Sequence, residues 1–600
     1  MNLANVRSAI GATIALVLLL ALAPAAGAKG PPTVQVLLLP PATSVEELAE
    51  AGFSPGLMSP GLGTVPAEQT YLDIGQGNRV FDSLYDEDLT ERTGDPAAWW
   101  RAVVERAETA PAEIVPGLLA ANLREEGLPP PRFEARSAVP DLHPQDADTL
   151  LIAFARPTGD SDDLLPIGLA GPGFDGDLTS DSTRMDGYVL STDLAPTILD
   201  YYGLEVPPEM SGQPIRAEGA VDAAAVESLG ARMAVISSRR GTVVGLNVLA
   251  WLAVLLLAIA LSRGRLARPA VRVAGLTIVY LPLVLLLGAA LEPGESAERL
   301  LVLLLAPLLA GLTLLLLRGY RALAAAAAAT VFAYAVDVIA GSPLTSLSLL
   351  GPNPGLGVRF YGIGNELEAV LAVLVVAGTG AALTAFAAKA SRRAGVVAFL
   401  SVGLLAAVVF AAGRFGADVG AAIVFPVGAA VAAVARAGSG RRPLLLAVVA
   451  APVAVLALMA LVDLVSGANA HLTRSVLDAG GLGDLADVAQ RRLQLSARSF
   501  GRPVLLAFLP VVIAIAAFAY LRRGRLQAWL AAVPAMRAGL LGALAATVVG
   551  TLANDSGALL LEIGTAYLLV FTGFAWAESP ANSAESITSD EKLQLRAPRV

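Results

Sequence analysis

From residue 243 onward the sequence is a succession of apolar blocks, each of about 18–24 residues, the length an α-helix needs to cross a bilayer. Eleven spans are expected, at 243–262, 272–291, 299–317, 321–340, 365–388, 394–412, 417–435, 443–465, 503–521, 537–553 and 557–577. The connections at 263–272, 318–321, 389–393, 436–442 and 522–537 hold Arg263, Arg265, Arg318, Arg321, Arg392, Arg441, Arg522 and Arg523. Cationic loops stay in the cytoplasm, so this alternation puts the other connections, including the long loop 466–502, outside. The polar tail 578–600 then falls inside and reads as disordered. With 55% hydrophobic residues the whole cannot be one soluble globule. The absence of cysteine excludes disulfides, thiolate metal sites and a cysteine nucleophile.

The first half has a different composition. Residues 1–28 carry Arg7, an apolar run and Ala26-Gly27-Ala28, the pattern of a secretory signal peptide or an uncleaved anchor. Residues 29–240 follow as an exported, strongly acidic domain, and no basic-aromatic patch points to nucleic acid. Short apolar runs at 33–39, 149–155 and 165–169 read as buried strands. Ser44 is placed to cap a helix over 45–51, a short helix begins at Pro66, and 95–127 is rich in helix. Strands alternating with helices imply an α/β domain with a mostly parallel sheet. The fold class expected for the whole chain is this domain followed by an all-α polytopic bundle at 243–577, of about eleven helices.

The stretch 187–215, GYVLSTDLAPTILDYYGLEVPPEMSGQPI, is the most specific signal in that domain. Asp193 is placed as a helix N-cap, Pro196 fits a first turn, and Gly203 stops the helix. Thr192, Asp193, Ala195, Pro196, Thr197, Ile198 and Leu199, then Pro207, Met210, Gly212 and Ile215, resemble the closing segment of the alkaline phosphatase/sulfatase superfamily. The order of domains is similar to that of the ethanolamine-phosphate transferases of glycolipid-anchor synthesis. That resemblance implies a metal-dependent site, with an Asp ending the first strand, a hydroxyl or thiol nucleophile and Asp/His ligands. Here Pro40-Pro41 stand where the Asp belongs, and His143 is the one histidine of the exported domain. Within the resemblance, Asp160, Asp162 and Asp163 are the metal candidates and Thr64 the nucleophile by position. The plainer reading makes the triplet a solvated loop, Thr64 a helix cap and the domain a degenerate, non-catalytic member that needs no cofactor.

Three polar stretches interrupt the spans on the side read as outer: 351–366, 413–418 and 554–557. They carry Arg359, Tyr361, Asn365 and Glu366, then Arg414 and Asp418, then Asn554 and Asp555. Polar groups at membrane depth are costly unless they pair or line a wet cavity, so these residues are the substrate-binding candidates. Outward arginines point to an anionic ligand, such as a lipid-linked phosphate. The alternative is local pairing, for example Arg414 with Asp418. His471, Arg474, Arg491, Arg492 and Arg498 in loop 466–502 read as interfacial. The expected function is a bacterial envelope protein that binds or translocates an anionic lipid-linked substrate, the exported domain acting as a lid or binding module. A metal-dependent phosphotransferase or hydrolase, holding a divalent ion, is the second hypothesis, and an envelope-assembly partner the third.

Overall fold

The structure, a computed structural model, describes residues 33–89, 95–140, 149–387, 391–438, 440–466, 493–494, 496–501 and 503–579. The expected signal segment, His143, His471, Arg474, Arg491, Arg492 and nearly all of the tail lie outside the described residues. The chain divides into two compact units, Met1–Ser182 with Asp186–Glu227, and Thr183–Met185 with Ser228–Val600.

The first unit is α/β. Its elements are β1 (Thr33–Leu39), α1 (Val45–Glu50), β2 (Ser54–Ser59), β3 (Val65–Pro66), α2 (Ala67–Gln76), α3 (Pro96–Glu108), α4 (Leu118–Glu125) and β4 (Arg132–Ala135), then β5 (Thr149–Ala155), β6 (Asp160–Ser161), β7 (Leu165–Ala170), β8 (Asp177–Ser180), β9 (Tyr188–Leu190), α5 (Leu194–Tyr201) and β10 (Ile215–Glu218). The main sheet runs β4-β1-β5-β7-β2-β9, with β7 antiparallel to both neighbours and the other pairs parallel. Val36, Ile152, Phe154, Ile167, Leu169 and Val189 are fully buried in its core. Burying each such side chain contributes roughly 1.5–3 kcal/mol.

Local chemistry sets the ends of these elements. Ser44 Oγ accepts from the Glu47 amide at 3.1 Å while Glu47 Oε2 accepts from the Ser44 amide at 3.1 Å, a reciprocal cap on α1. Gly203, at φ +72°, ends α5 in the left-handed region. Two strands escape a reading by periodicity. β2, SPGLMS, contains Pro and Gly yet is buried throughout, and β4 is exposed along its length at the sheet edge.

The closing stretch is held by buried polar groups. Asp193 lies at the start of α5, but its carboxylate does not cap the helix, contrary to the N-cap expectation. It accepts instead from Ser180 Oγ at 2.7 Å, Ser182 Oγ at 2.6 Å, the Leu190 amide at 3.0 Å and the Gln213 amide at 2.9 Å. Thr197 Oγ1 donates to the Asp193 carbonyl at 2.6 Å and accepts from the Ile215 amide at 2.9 Å. Gly212 passes so close to this knot that a Cβ there would stand 2.1 Å from the Thr192 carbonyl oxygen. One side chain thus ties β8, β9 and the entry to β10 together.

The second unit is helical: α6 (Ala223–Leu261, begun in the first unit), α7 (Ala267–Leu291), α8 (Glu295–Leu316), α9 (Tyr320–Ile339), α10 (Pro343–Leu347), α11 (Asn365–Phe386), α12 (Arg392–Ala411), α13 (Val419–Ala437), α14 (Arg441–Ser466), α15 (Pro503–Leu521), α16 (Arg523–Ala531), α17 (Pro534–Ala553) and α18 (Gly557–Glu578). Among the described residues nine helices are long and apolar enough to cross a membrane, which marks a multi-pass membrane protein. Helices α14 and α15 lie where two further spans are expected. Close packing rests on small residues: a Cβ on Gly380 would meet the Ala535 carbonyl oxygen at 2.9 Å and Gly539 Cα at 3.1 Å.

Helix α6 begins well before the expected first span at 243, and a wider turn over Arg240–Gly245 interrupts it without ending it. The charged residues before that turn fasten α6 to α8. Glu298 at the start of α8 is fully buried and accepts from Arg232 Nη2 at 3.0 Å and Arg239 Nη1 at 2.9 Å. Arg232 is itself only 4% exposed, so removing its carboxylate would strand a buried cation. Glu298→Ala should therefore cost about 3–5 kcal/mol. The expected result is a large fall in the Tm of the full-length protein in detergent, with exposed Glu295→Ala as the near-neutral control.

Candidate functional site

The three polar stretches of the helical unit meet. The Ile363 amide donates to the Gly416 carbonyl at 3.1 Å, joining the loop before α11 to the loop before α13. Asn365 Nδ2 donates to Asp555 Oδ1 at 3.0 Å, joining α11 to the turn between α17 and α18. Asn554 Nδ2 donates both to Asn365 Oδ1 at 3.1 Å and to Glu368 Oε2 at 2.8 Å. Arg359 Nη1 lies 4.0 Å from Asp418 Oδ2 and also donates to the Ile363 carbonyl. Asp418 caps α13, its Oδ1 accepting from the Gly420 amide at 3.0 Å. The residue before it, Ala417, sits at φ +51°, a left-handed conformation that costs a non-glycine residue roughly 1–2 kcal/mol.

At the centre of this cluster is Glu368, which the sequence reading passed over in favour of Glu366. Glu368 is fully buried, and its Oε1 has no hydrogen-bond partner among the described residues. It presses on the first turn of α13, where a Cβ on Gly420 would stand 2.5 Å from Glu368 Oε2. Glu366 turns elsewhere and pairs with Arg240 at 3.0 Å. Residues two apart on a helix lie on nearly opposite faces, so only one of the two can face this cluster. The neighbouring apolar run LEAVLAVLVV gives no phase by which to choose between them.

The other candidates fall into place around the cluster. Asn365, Asp418 and Asn554 belong to it, and Asp555 joins it from an exposed position. Tyr361 is half-buried in the loop before α11. Arg414 is exposed, and the guanidinium beside Asp418 is that of Arg359, so the expected Arg414–Asp418 pairing is corrected. Of the long loop, residues 493–494 and 496–501 are described, Arg498 among them and exposed; Ser496 Oγ donates to the Thr551 carbonyl at 2.6 Å and Ser499 Oγ accepts from the Ala558 amide at 3.0 Å.

The first unit offers less to a substrate. A cavity of about 100 Å³ lies at the ends of β1, β2 and β5, lined by Pro41, Pro60, Thr70, Arg156, Ser161 and Asp163. That is below the roughly 300–1,000 Å³ of ordinary ligand sites. Thr64 is exposed in the bend before β3, and Pro66, not Thr64, holds the N-cap position of α2. Asp160 pairs with Pro66 across β3 and β6, while Asp162 and Asp163 are exposed. No group of three or more His, Asp or Glu side chains among the described residues is arranged to hold a metal ion. The end of β2 is filled instead by Arg79, whose Nη1 donates to Ser59 Oγ at 3.2 Å and the Gly61 carbonyl at 3.1 Å. A guanidinium there does not fit a divalent ion.

Beside Arg79 runs a buried polar chain. Asp73 Oδ1 accepts from Gln69 Nε2 at 2.7 Å and Gln76 Nε2 at 3.0 Å, and Gln69 Oε1 accepts from Arg106 at 2.8 Å. Burial pushes the Asp73 carboxyl up from an ordinary 3.8 to about 7, the amide donors and the Arg79 charge opposing it. The folded chain thus keeps a proton that the unfolded chain has lost between these values. The stability this contributes is complete below the unfolded value and is lost as pH rises through the folded one. Urea unfolding of the full-length protein should show stability falling between pH 3.8 and about 7, and Asp73→Asn should flatten that part of the profile.

No family model, curated protein or solved structure matches the chain, so its function is read from this geometry.

Proposed function

We propose that the chain is a multi-pass envelope protein whose helical unit binds an anionic, lipid-linked substrate at the outer leaflet and moves it or hands it on. The observation that carries this reading is the meeting of three polar loops around Arg359, Glu368, Asp418 and Asn554. Such an arrangement at the ends of apolar helices is costly in a bilayer unless its groups pair or line a wet cavity, and two of its carboxylate oxygens have no hydrogen-bond partner among the described residues. Arg359 is the anion contact: its side chain is one-third exposed, and at 4.0 Å its hold on Asp418 is loose enough to be exchanged. Eleven spans with the arginine-rich loops inside, an exported first unit and a cytoplasmic C-terminus complete the topology of this reading. The first unit is a non-catalytic relative of the alkaline phosphatase/sulfatase superfamily. This is supported by the structural duties of Asp193, Thr197 and Gly212, and by Arg79 at the end of β2.

Vesicles containing a polyprenyl phosphate provide the test. They should raise the Tm of the full-length protein above its value in vesicles with the uncharged polyprenol, because a ligand that binds only the folded state stabilises it. Arg359→Gln should abolish the difference and Arg414→Gln should retain most of it. Equal stabilisation by phosphate and alcohol would refute an anionic substrate.

A further inference from the structure

The charge inventory of the cluster goes one step beyond that reading and rests on it. Two buried carboxylates meet at the first turn of α13. Glu368 is fully buried, with Oε1 free of hydrogen bonds; Asp418 is 2% exposed, with Oδ2 likewise free and Arg359 at 4.0 Å. The charges of Asp418, Arg359 and Asp555 all act on Glu368. Among the described residues, the other charged groups on the packed elements are committed elsewhere or turned outward: Arg184 donates to the Gly413 carbonyl at 3.2 Å and Arg414 is exposed. Glu366 and Arg240 neutralise each other, Asp337 on α9 accepts from the Leu344 and Thr345 amides, and Asp555 is exposed. Asn365 and Asn554 bring dipoles but no charge. Among the described residues one guanidinium, itself partly solvated, therefore faces two buried carboxylates.

An uncompensated buried carboxylate is among the most costly groups a protein can hold, and two that share a site relieve the cost by holding a proton between them. Glu368 sits close against the first turn of α13, where a Cβ on Gly420 would stand 2.5 Å from its Oε2. We propose that Glu368 and Asp418 together form an exchangeable proton site that drives the binding cycle of the helical unit. The proton comes from water and adds to one of the two unpartnered oxygens, Glu368 Oε1 or Asp418 Oδ2. The cluster gains one positive charge, the summed carboxylate charge that holds Arg359 falls by one, and Arg359 is released to an anionic group. Loss of the proton to water restores the Arg359–Asp418 contact and expels the anion. One proton and one negative charge thus enter and leave together, with no covalent bond made to the substrate.

The test needs no identified substrate. Infrared difference spectra of the full-length protein in lipid vesicles, recorded across about pH 5 to about pH 9, report a protonated carboxyl in an apolar site as a band that shifts in heavy water. The wild type should show such a titrating band. Glu368→Gln should abolish it, and Glu366→Gln should leave it at full amplitude. The wild-type spectrum decides even if a variant fails to fold: no titrating band overturns the proposal. A band that vanishes when potassium in the buffer is replaced by sodium also overturns it, in favour of a metal-cation site. Inorganic pyrophosphate is the probe for the anion. A shift of the titration midpoint supports both readings, and a band that titrates but ignores pyrophosphate supports the proton site while counting against the anionic substrate.

Discussion

The helical unit depends on how a fully buried carboxylate, Glu368, is accommodated among apolar helices. It is held by one amide, Asn554 Nδ2 at 2.8 Å, and by the first turn of α13, where only a glycine leaves room for it. Those two contacts draw in the rest. Asn554 ties Glu368 to Asn365 and thereby brings the α17–α18 turn to the start of α11. Gly420 ties it to Asp418 and thereby to Arg359 and the loop before α11. Remove the carboxylate and the three loops lose the group around which they are ordered. Among the described residues this cluster keeps two buried acids for one base.

The second buried charge system has a different logic. Arg232, Glu298 and Arg239 form a closed triad in which the carboxylate meets a guanidinium at both oxygens. It fastens α6 to α8 and leaves Glu298 no oxygen free for a ligand. The two systems differ in one respect: among the described residues Glu298 is partnered at both oxygens and Glu368 at one. In the first unit Asp193 belongs with the fastening type, since four donors converge on it.

Much of this was legible in the sequence, and the misses have physical causes. Strand β1 and the cap of α1 follow from an apolar run and a Ser three residues before a Glu, signals that act locally. The three polar loops stood out because polar residues between apolar spans are few. Glu368 did not, because its helical face is hidden in a run that is apolar on every side. Arg239 and Arg240, just before the expected first span, are neutralised by Glu298 and Glu366, far away in sequence. Long-range neutralisation leaves no local trace. The same holds for β2, whose Pro and Gly argue against a strand until its partners β7 and β9 are known.

The central claim is that the turn after α17 meets the start of α11 in the membrane. The chain contains no cysteine, so a pair of introduced thiols reports on that meeting without background. Asn365 and Asp555 touch through their side chains at 3.0 Å, so thiols at the two positions lie within the reach of a short bifunctional thiol cross-linker. In native membranes treated with that cross-linker, Asn365→Cys combined with Asp555→Cys should cross-link efficiently within one chain, whereas Asn365→Cys with Arg263→Cys should not. Failure of the first pair, or equal cross-linking by both, would contradict the account.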